Sequence, residues 1–109
     1  MSDAPLREPT YFILAALASG PAHGYRILQV VDELSNGRVR LRAGTLYAAI
    51  DRLERDGVIE LHSEETAGGP PRRSFALTDR GRRLLEAEIE RLQANADIGR
   101  ARLPPGLAT

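Results

Sequence analysis

The chain has 109 residues, enough for one domain with a modest core and too few for two. Its 42% hydrophobic and 28% charged residues exclude a disordered tail, and the absence of cysteine excludes disulfides, thiolate chemistry and cysteine-based zinc or iron–sulfur sites. Fifteen acids balance fifteen bases, and every base is an arginine, whose planar fork suits phosphates and base edges. The neutral total conceals a basic middle: residues 38–83 hold ten arginines against seven acids, and the rest holds five against eight. Two histidines, His23 and His62, are too few for a histidine-rich metal centre, so no metal or other cofactor is expected. The longest apolar run, Tyr11 to Ala18, has eight residues and cannot span a bilayer. Its flank mixes Asp3, Arg7 and Glu8, unlike the positive start of an export signal, so a cytoplasmic protein without a membrane partner is expected.

Residues 1–8 read as a short tail. From Pro9 the run PTYFILAALASG reads as a helix capped by Thr10 and stopped by Gly20-Pro21. It is apolar nearly all round, so both faces need covering. A second helix runs from about 23 to 34, with Ile27, Val31 and Leu34 at helical spacing and Ser35-Asn36-Gly37 as its stop. The alternation RVRLR over residues 38–42 predicts a short half-buried strand. A third helix, about 44–56, buries Leu46, Ile50 and Leu53, with Gly57 as its stop. Its other face carries Thr45, Tyr47, Ala48, Asp51, Arg52 and Arg55. Two strands follow, Val58 to His62 and Arg72 to Leu77, around a protruding tip TAGGPP. Thr78 caps a last helix, about 79–98, with Leu85, Ile89, Leu92 and Ala96 on one stripe, and residues 99–109 read as a flexible tail.

Helix, helix, short strand, helix and hairpin is the order of a winged helix-turn-helix, whose third helix enters the major groove while the hairpin tip follows the backbone or minor groove. The expected fold is mainly α: a winged helix-turn-helix over 9–78 with a two- to three-stranded wing sheet, then a long C-terminal dimerisation helix. Three stretches carry a closer likeness: ILAALASGPAHGYRI, RAGTLYAAIDRLERDGVI and GGPPRRSFALTDRGRRLL. In their order and motifs (Gly20 to Tyr25, Gly44 to Tyr47, Leu77 to Gly81) they resemble the PadR family of bacterial transcriptional regulators over roughly residues 10–92. The resemblance implies a DNA-binding regulator, not an enzyme, and in the family's shorter branch a single C-terminal helix that pairs two subunits. The chain departs from the family pattern at Arg42-Ala43, where Ser-Pro is usual, and at Ser74-Phe75. It also lacks the tryptophan on which one branch stacks an aromatic ligand.

The candidate DNA-contacting residues are Arg40, Arg42, Gly44, Thr45, Tyr47, Arg52, Arg72 and Arg73. Gly44 and Thr45 open the third helix, where free amides can meet a phosphate. Tyr47 can bond a phosphate or lie on a thymine methyl, the other reading being contact with the wing or second helix. Arg72 and Arg73 flank the wing tip, and their alternation turns one of them toward the domain's own acids. Arg52 and Arg55 have acidic neighbours, and an Asp51–Arg55 pair is the competing use of them. His23 reads as a capping or hydrogen-bonded histidine, Tyr25 as a core or subunit-facing ring, and Glu64-Glu65 as a solvated edge. Nothing resembles a nucleophile–base set.

The candidate dimer interface is Tyr11, Phe12, Leu85, Ile89, Leu92 and Ala96, because the last helix outruns the core of its own chain. The partners expected are double-stranded DNA bearing a palindromic operator, a second copy of the chain as homodimer, and a small aromatic effector that releases a repressor. The alternative is a winged-helix dimer that binds a protein partner or an aromatic ligand.

Overall fold

A computed structural model describes residues 5–66 and 68–106. Helix α1 (Glu8–Leu17) is followed by β1 (Ala22–His23), α2 (Gly24–Leu34), α3 (Ala43–Arg55), β2 (Ile59–Glu65), β3 (Arg72–Leu77) and α4 (Asp79–Arg102). This is a winged helix-turn-helix with a long C-terminal helix, the fold class expected from the sequence. The core gathers Ile13, Leu14 and Leu17 of α1, Ile27 and Val31 of α2, Leu46, Ile50 and Leu53 of α3, Ile59 and Phe75 of the sheet, and Leu85 of α4. Helix α1 is the apolar centre, buried on more than one side by α2 and α4, as its uniformly apolar sequence requires.

The helix boundaries bring two corrections. Thr10 does not cap α1: the helix begins at Glu8, its N-cap is Arg7, and no side chain bonds the free amides there. Pro9 lies in the first turn, where its missing N–H costs nothing, so the start can move ahead of the threonine. Leu34 is exposed, and the α2 stripe is Ile27 and Val31 alone. The chain then turns through Asn36 (φ 54) and Gly37 (φ 77), whose amide bonds Asp32 O at 2.9 Å.

The segment Arg38 to Arg42 is not a strand. Its alternation is real, with Val39 buried and Leu41 half-buried between exposed arginines. Yet Ser35 Oγ, fully buried, accepts from Val39 N at 2.9 Å and lies 3.2 Å from Val39 O. The turn thus uses the backbone groups that a ladder would need. The third strand of the sheet is Ala22–His23, which pairs antiparallel with β3 in the order β1-β3-β2.

In the wing, Ile59 faces Leu77 and Leu61 faces Phe75, and a bulge at His62 brings Ser63 opposite Ser74 with their hydroxyls 2.6 Å apart. The join to α4 is tight. Thr78 Oγ1 caps the helix by accepting from Gly81 N at 3.0 Å, and its own hydrogen points to Gly57 O at 2.6 Å. A Cβ at Gly81 would collide with the Val58 carbonyl and lie 3.2 Å from Leu77 Cδ2, so glycine lets the helix approach the strand. Arg80 Nε donates to Asp56 O at 3.1 Å, satisfying a carbonyl at the end of α3.

Helix α4 runs 24 residues to Arg102, so the expected end at 98 and tail from Gly99 are corrected. Leu103 is its C-cap, and residues 107–109 lie outside the described ones. At the other end, residues 1–4 are also outside, but Leu6 of the expected tail packs against the core. At about 1.5 Å per residue α4 is roughly 36 Å long, which accounts for a molecule 61 × 33 × 21 Å in extent.

Candidate nucleic-acid interface

Helix α3 buries Leu46, Ala49, Ile50 and Leu53, which turns Thr45, Tyr47, Ala48, Asp51, Arg52 and Arg55 outward. Gly44 and Arg42 are exposed at its start, where Arg42 is the N-cap and no side chain satisfies the first amides. Among the described residues no ion pair joins Asp51 to Arg55, so the competing use of Arg55 is not realised.

The arginines divide by what holds them. Arg40 Nε lies 3.5 Å from Asp32 Oδ1, Arg38 pairs with Glu8 at 3.5 Å, and both pairs are solvent-exposed and weak. On the wing, Arg73 Nε lies 3.6 Å from Glu64 Oε1, and its guanidinium sits 5.7 Å from the centre of the Phe75 ring. Arg73 is therefore the wing arginine turned to the domain's own acid. Arg42, Arg52 and Arg72 have no ion-pair partner among the described residues and remain exposed. The described tip residues 66 and 68–71 are all exposed.

Tyr47 combines its two readings. It is 46% exposed on the outward face of α3, yet its ring lies against Gly24 at the start of α2. Tyr25 beside it is 68% exposed and not a core residue. His23 is the N-cap of α2 by backbone only: its side chain makes no capping bond, and its Nδ1 is buried without a partner. Gly24 was not legible as a site residue, because glycine in a helix start reads as a turn and not as space for a ring.

Away from this face, the residues expected to pair subunits separate into three groups. Leu85 is buried in the core of its own chain and is not part of the uncovered stripe. Tyr11 and Phe12 are half-buried, edge to face with ring centres 5.5 Å apart. Ile89 and Leu92 remain 47% and 42% exposed, Ala96 is exposed, and Ile98 and Leu103 extend the same excess of apolar surface. The helix also carries one buried acid that periodicity does not reveal. Glu88 bonds Arg91 from Nε to Oε1 at 3.0 Å and again from Nη2 to Oε2. The Arg91 hydrogen bond holds the Glu88 carboxyl below the usual carboxylate range, against the opposing effect of burial, with help from the Leu6 amide.

A groove of about 750 Å³ lies between the segment before α1, the side of α3 and the start of α4. Leu6, Ile13, Leu53 and Leu84 line its apolar part, and Arg7, Arg52 and Arg80 are its cations. It shares Thr45, Ala48 and Arg52 with the outward face of α3.

The model of the transcriptional regulator PadR-like family matches residues 13–87, from the middle of α1 into α4. The chain belongs to that family. An uncharacterized 37.1 kDa protein in transposon TN4556 of Streptomyces fradiae is 41% identical over 76 residues, 70% of this chain and 20% of that protein. The transcriptional regulator YqjI of Escherichia coli is 30% identical over 81 residues, 74% of this chain and 37% of that protein. The chain thus spans well under half of these relatives. Among solved structures, Bacillus subtilis PadR in complex with operator DNA matches with a TM-score of 0.68 at 23% identity, covering 76% of this chain and 47% of that one. This likeness shows the PadR winged-helix fold. Among the described residues no helix is long and apolar enough to cross a membrane.

Proposed function

We propose that this PadR-like regulator binds a palindromic operator as a homodimer, represses transcription there, and is released by a small molecule. The observation that carries the DNA reading is the outward face of α3, where Thr45, Tyr47 and Arg52 project beside an exposed Arg42, with Arg72 on the wing. In that pose the side chains of α3 read base edges in the major groove, and the arginines neutralise phosphates. Gly44 and the uncapped amides at the start of α3 donate to a phosphate oxygen. Arg40 joins them by exchanging its weak pairing with Asp32 for a phosphate. Arg73, tied to Glu64, orients the wing more than it contacts DNA.

A solved complex of the Bacillus subtilis relative with operator DNA supports the class of partner. The groove supports release. An aromatic compound lying on Leu6 and Leu84 would compete for Arg52 and Thr45, which the DNA face also needs. The test is binding to the DNA just upstream of the gene's own start. Saturable binding that tightens on a palindrome and weakens with salt is expected, whereas equal affinity for a scrambled duplex would remove the operator reading. Titration with aromatic compounds, read by tyrosine fluorescence and by operator affinity together, tests release. Binding that leaves operator affinity unchanged would separate the groove from regulation.

A further inference from the structure

Gly24 is buried at the first position of α2, immediately after His23, which pairs with Ser74 of the wing. Its φ is not positive, so the backbone does not demand glycine there. The space does. A Cβ on Gly24 would stand 2.7 Å from Tyr47 Cζ and 3.3 Å from Cε1, and would collide outright with the hydroxyl. The phenol of α3 thus lies in a slot made by the missing side chain, at a point where wing, α2 and α3 meet.

We propose that Gly24 is a positioning residue for Tyr47: it sets where the phenol hydroxyl stands on the DNA-facing side of α3. The inference rests on the DNA reading above. Alanine suits a helical backbone, and the atoms it would strike are the far end of one rotatable ring, so Gly24→Ala moves the ring and leaves the fold. Gly24 acts only through Tyr47, and its effect vanishes when that ring is absent.

A double-mutant cycle tests this, with operator affinity measured for wild type, Gly24→Ala, Tyr47→Ala and the double variant. Each single substitution should weaken binding by about tenfold, as removal of one good polar interaction with DNA does. The double variant should be no weaker than Tyr47→Ala alone. Wild-type affinity in Gly24→Ala, or losses that multiply in the double variant, would overturn the proposal. The ring resonances of Tyr47 in free protein give a second readout that does not depend on DNA. They should shift in Gly24→Ala, and an unmoved ring would overturn the proposal even if affinity fell. Should Gly24→Ala fail to fold, restoration of the fold in the double variant supports the slot, and failure in both overturns it. A wild-type protein that binds no operator would sink the DNA reading and this inference's functional half together. In that case the resonances alone decide whether Gly24 places the ring.

Discussion

Replacing Ile89 and Leu92 by aspartate should turn the proposed dimer into monomers. Full burial of an isoleucine or leucine contributes about 1.5–3 kcal/mol. The two side chains are still 47% and 42% exposed in the isolated chain, so covering what remains contributes about 1 kcal/mol each. Counted over both subunits, the substitutions remove about 4 kcal/mol, roughly a thousandfold in the dimer dissociation constant. Four new carboxylates facing each other across a twofold axis add repulsion to that loss. The monomer should keep its fold, because neither side chain belongs to the core, and circular dichroism will check this. Sedimentation velocity over a concentration series, against a chain mass of 11.9 kDa, reads the assembly. Operator affinity should fall with it, since two recognition helices reach major grooves about 34 Å apart only when a dimer holds them. A double variant that still sediments as a dimer would refute the assignment of this stripe. A monomer with undiminished operator affinity would refute the link between pairing and recognition.

Other consequences follow from single side chains. Replacing Arg72 and Arg73 by alanine should flatten the salt dependence of operator binding, by about one unit of slope for each phosphate no longer neutralised. An unchanged slope would take the wing out of the interface, and a change of one unit instead of two would fit Arg73 staying with Glu64. Gly81→Ala sets helix propensity, worth about 1 kcal/mol in favour of alanine, against a collision with the Val58 carbonyl. Because a backbone atom must move, overpacking costs about 1–3 kcal/mol, so the unfolding free energy should fall by up to about 2 kcal/mol net, and a stabilised variant would show that the joint can open. Glu88 titrates below the usual range when folded, so its contribution is complete above the unfolded pKa and is lost as pH falls through the folded one. Thermal unfolding of Glu88→Gln should therefore vary less with acid pH than that of wild type, and parallel curves would count against the Arg91 bond as the cause.

Much of this was legible in the chain because the signals were local. The stripe Leu46–Ile50–Leu53, the stop at Gly57 and the cap at Thr78 each depend on a few neighbours and stand where the sequence puts them, and of the stripe Ile27–Val31–Leu34 the first two do. The errors arise where a distant partner decides. Alternation over Arg38 to Arg42 reports burial faithfully, but a strand needs an edge to pair with, and Ala22–His23 holds the free edge of β3. The apolar stripe of α4 is continuous in sequence, yet only the packed core separates Leu85 inside from Ile89 and Leu92 outside. The outward face of α3 was readable from its period alone. That Tyr47 rests on Gly24 was not, because the two are 23 positions apart and glycine carries no side chain to announce a contact.

The join between α3 and α4 gives the proposed function a mechanical basis. Three contacts fix the start of α4 to the end of α3: the Thr78 hydroxyl between the Gly81 amide and the Gly57 carbonyl, Arg80 on the Asp56 carbonyl, and Gly81 against Val58. With this joint rigid, the proposed pairing of two copies of α4 would also set the distance and tilt between two copies of α3. Asp56, Val58 and Arg80 belong to the joint and to the wall of the 750 Å³ groove alike. A ligand there need not reach the DNA to weaken its binding. Drawing Arg80 away from the Asp56 carbonyl would loosen one of the three contacts and let the α3 helices leave their groove spacing. By this route the proposed release would act through geometry, in addition to direct competition for Arg52. The two routes separate experimentally. Arg52→Ala abolishes competition but leaves the joint, whereas Arg80→Ala loosens the joint and should lower operator affinity before any ligand is added.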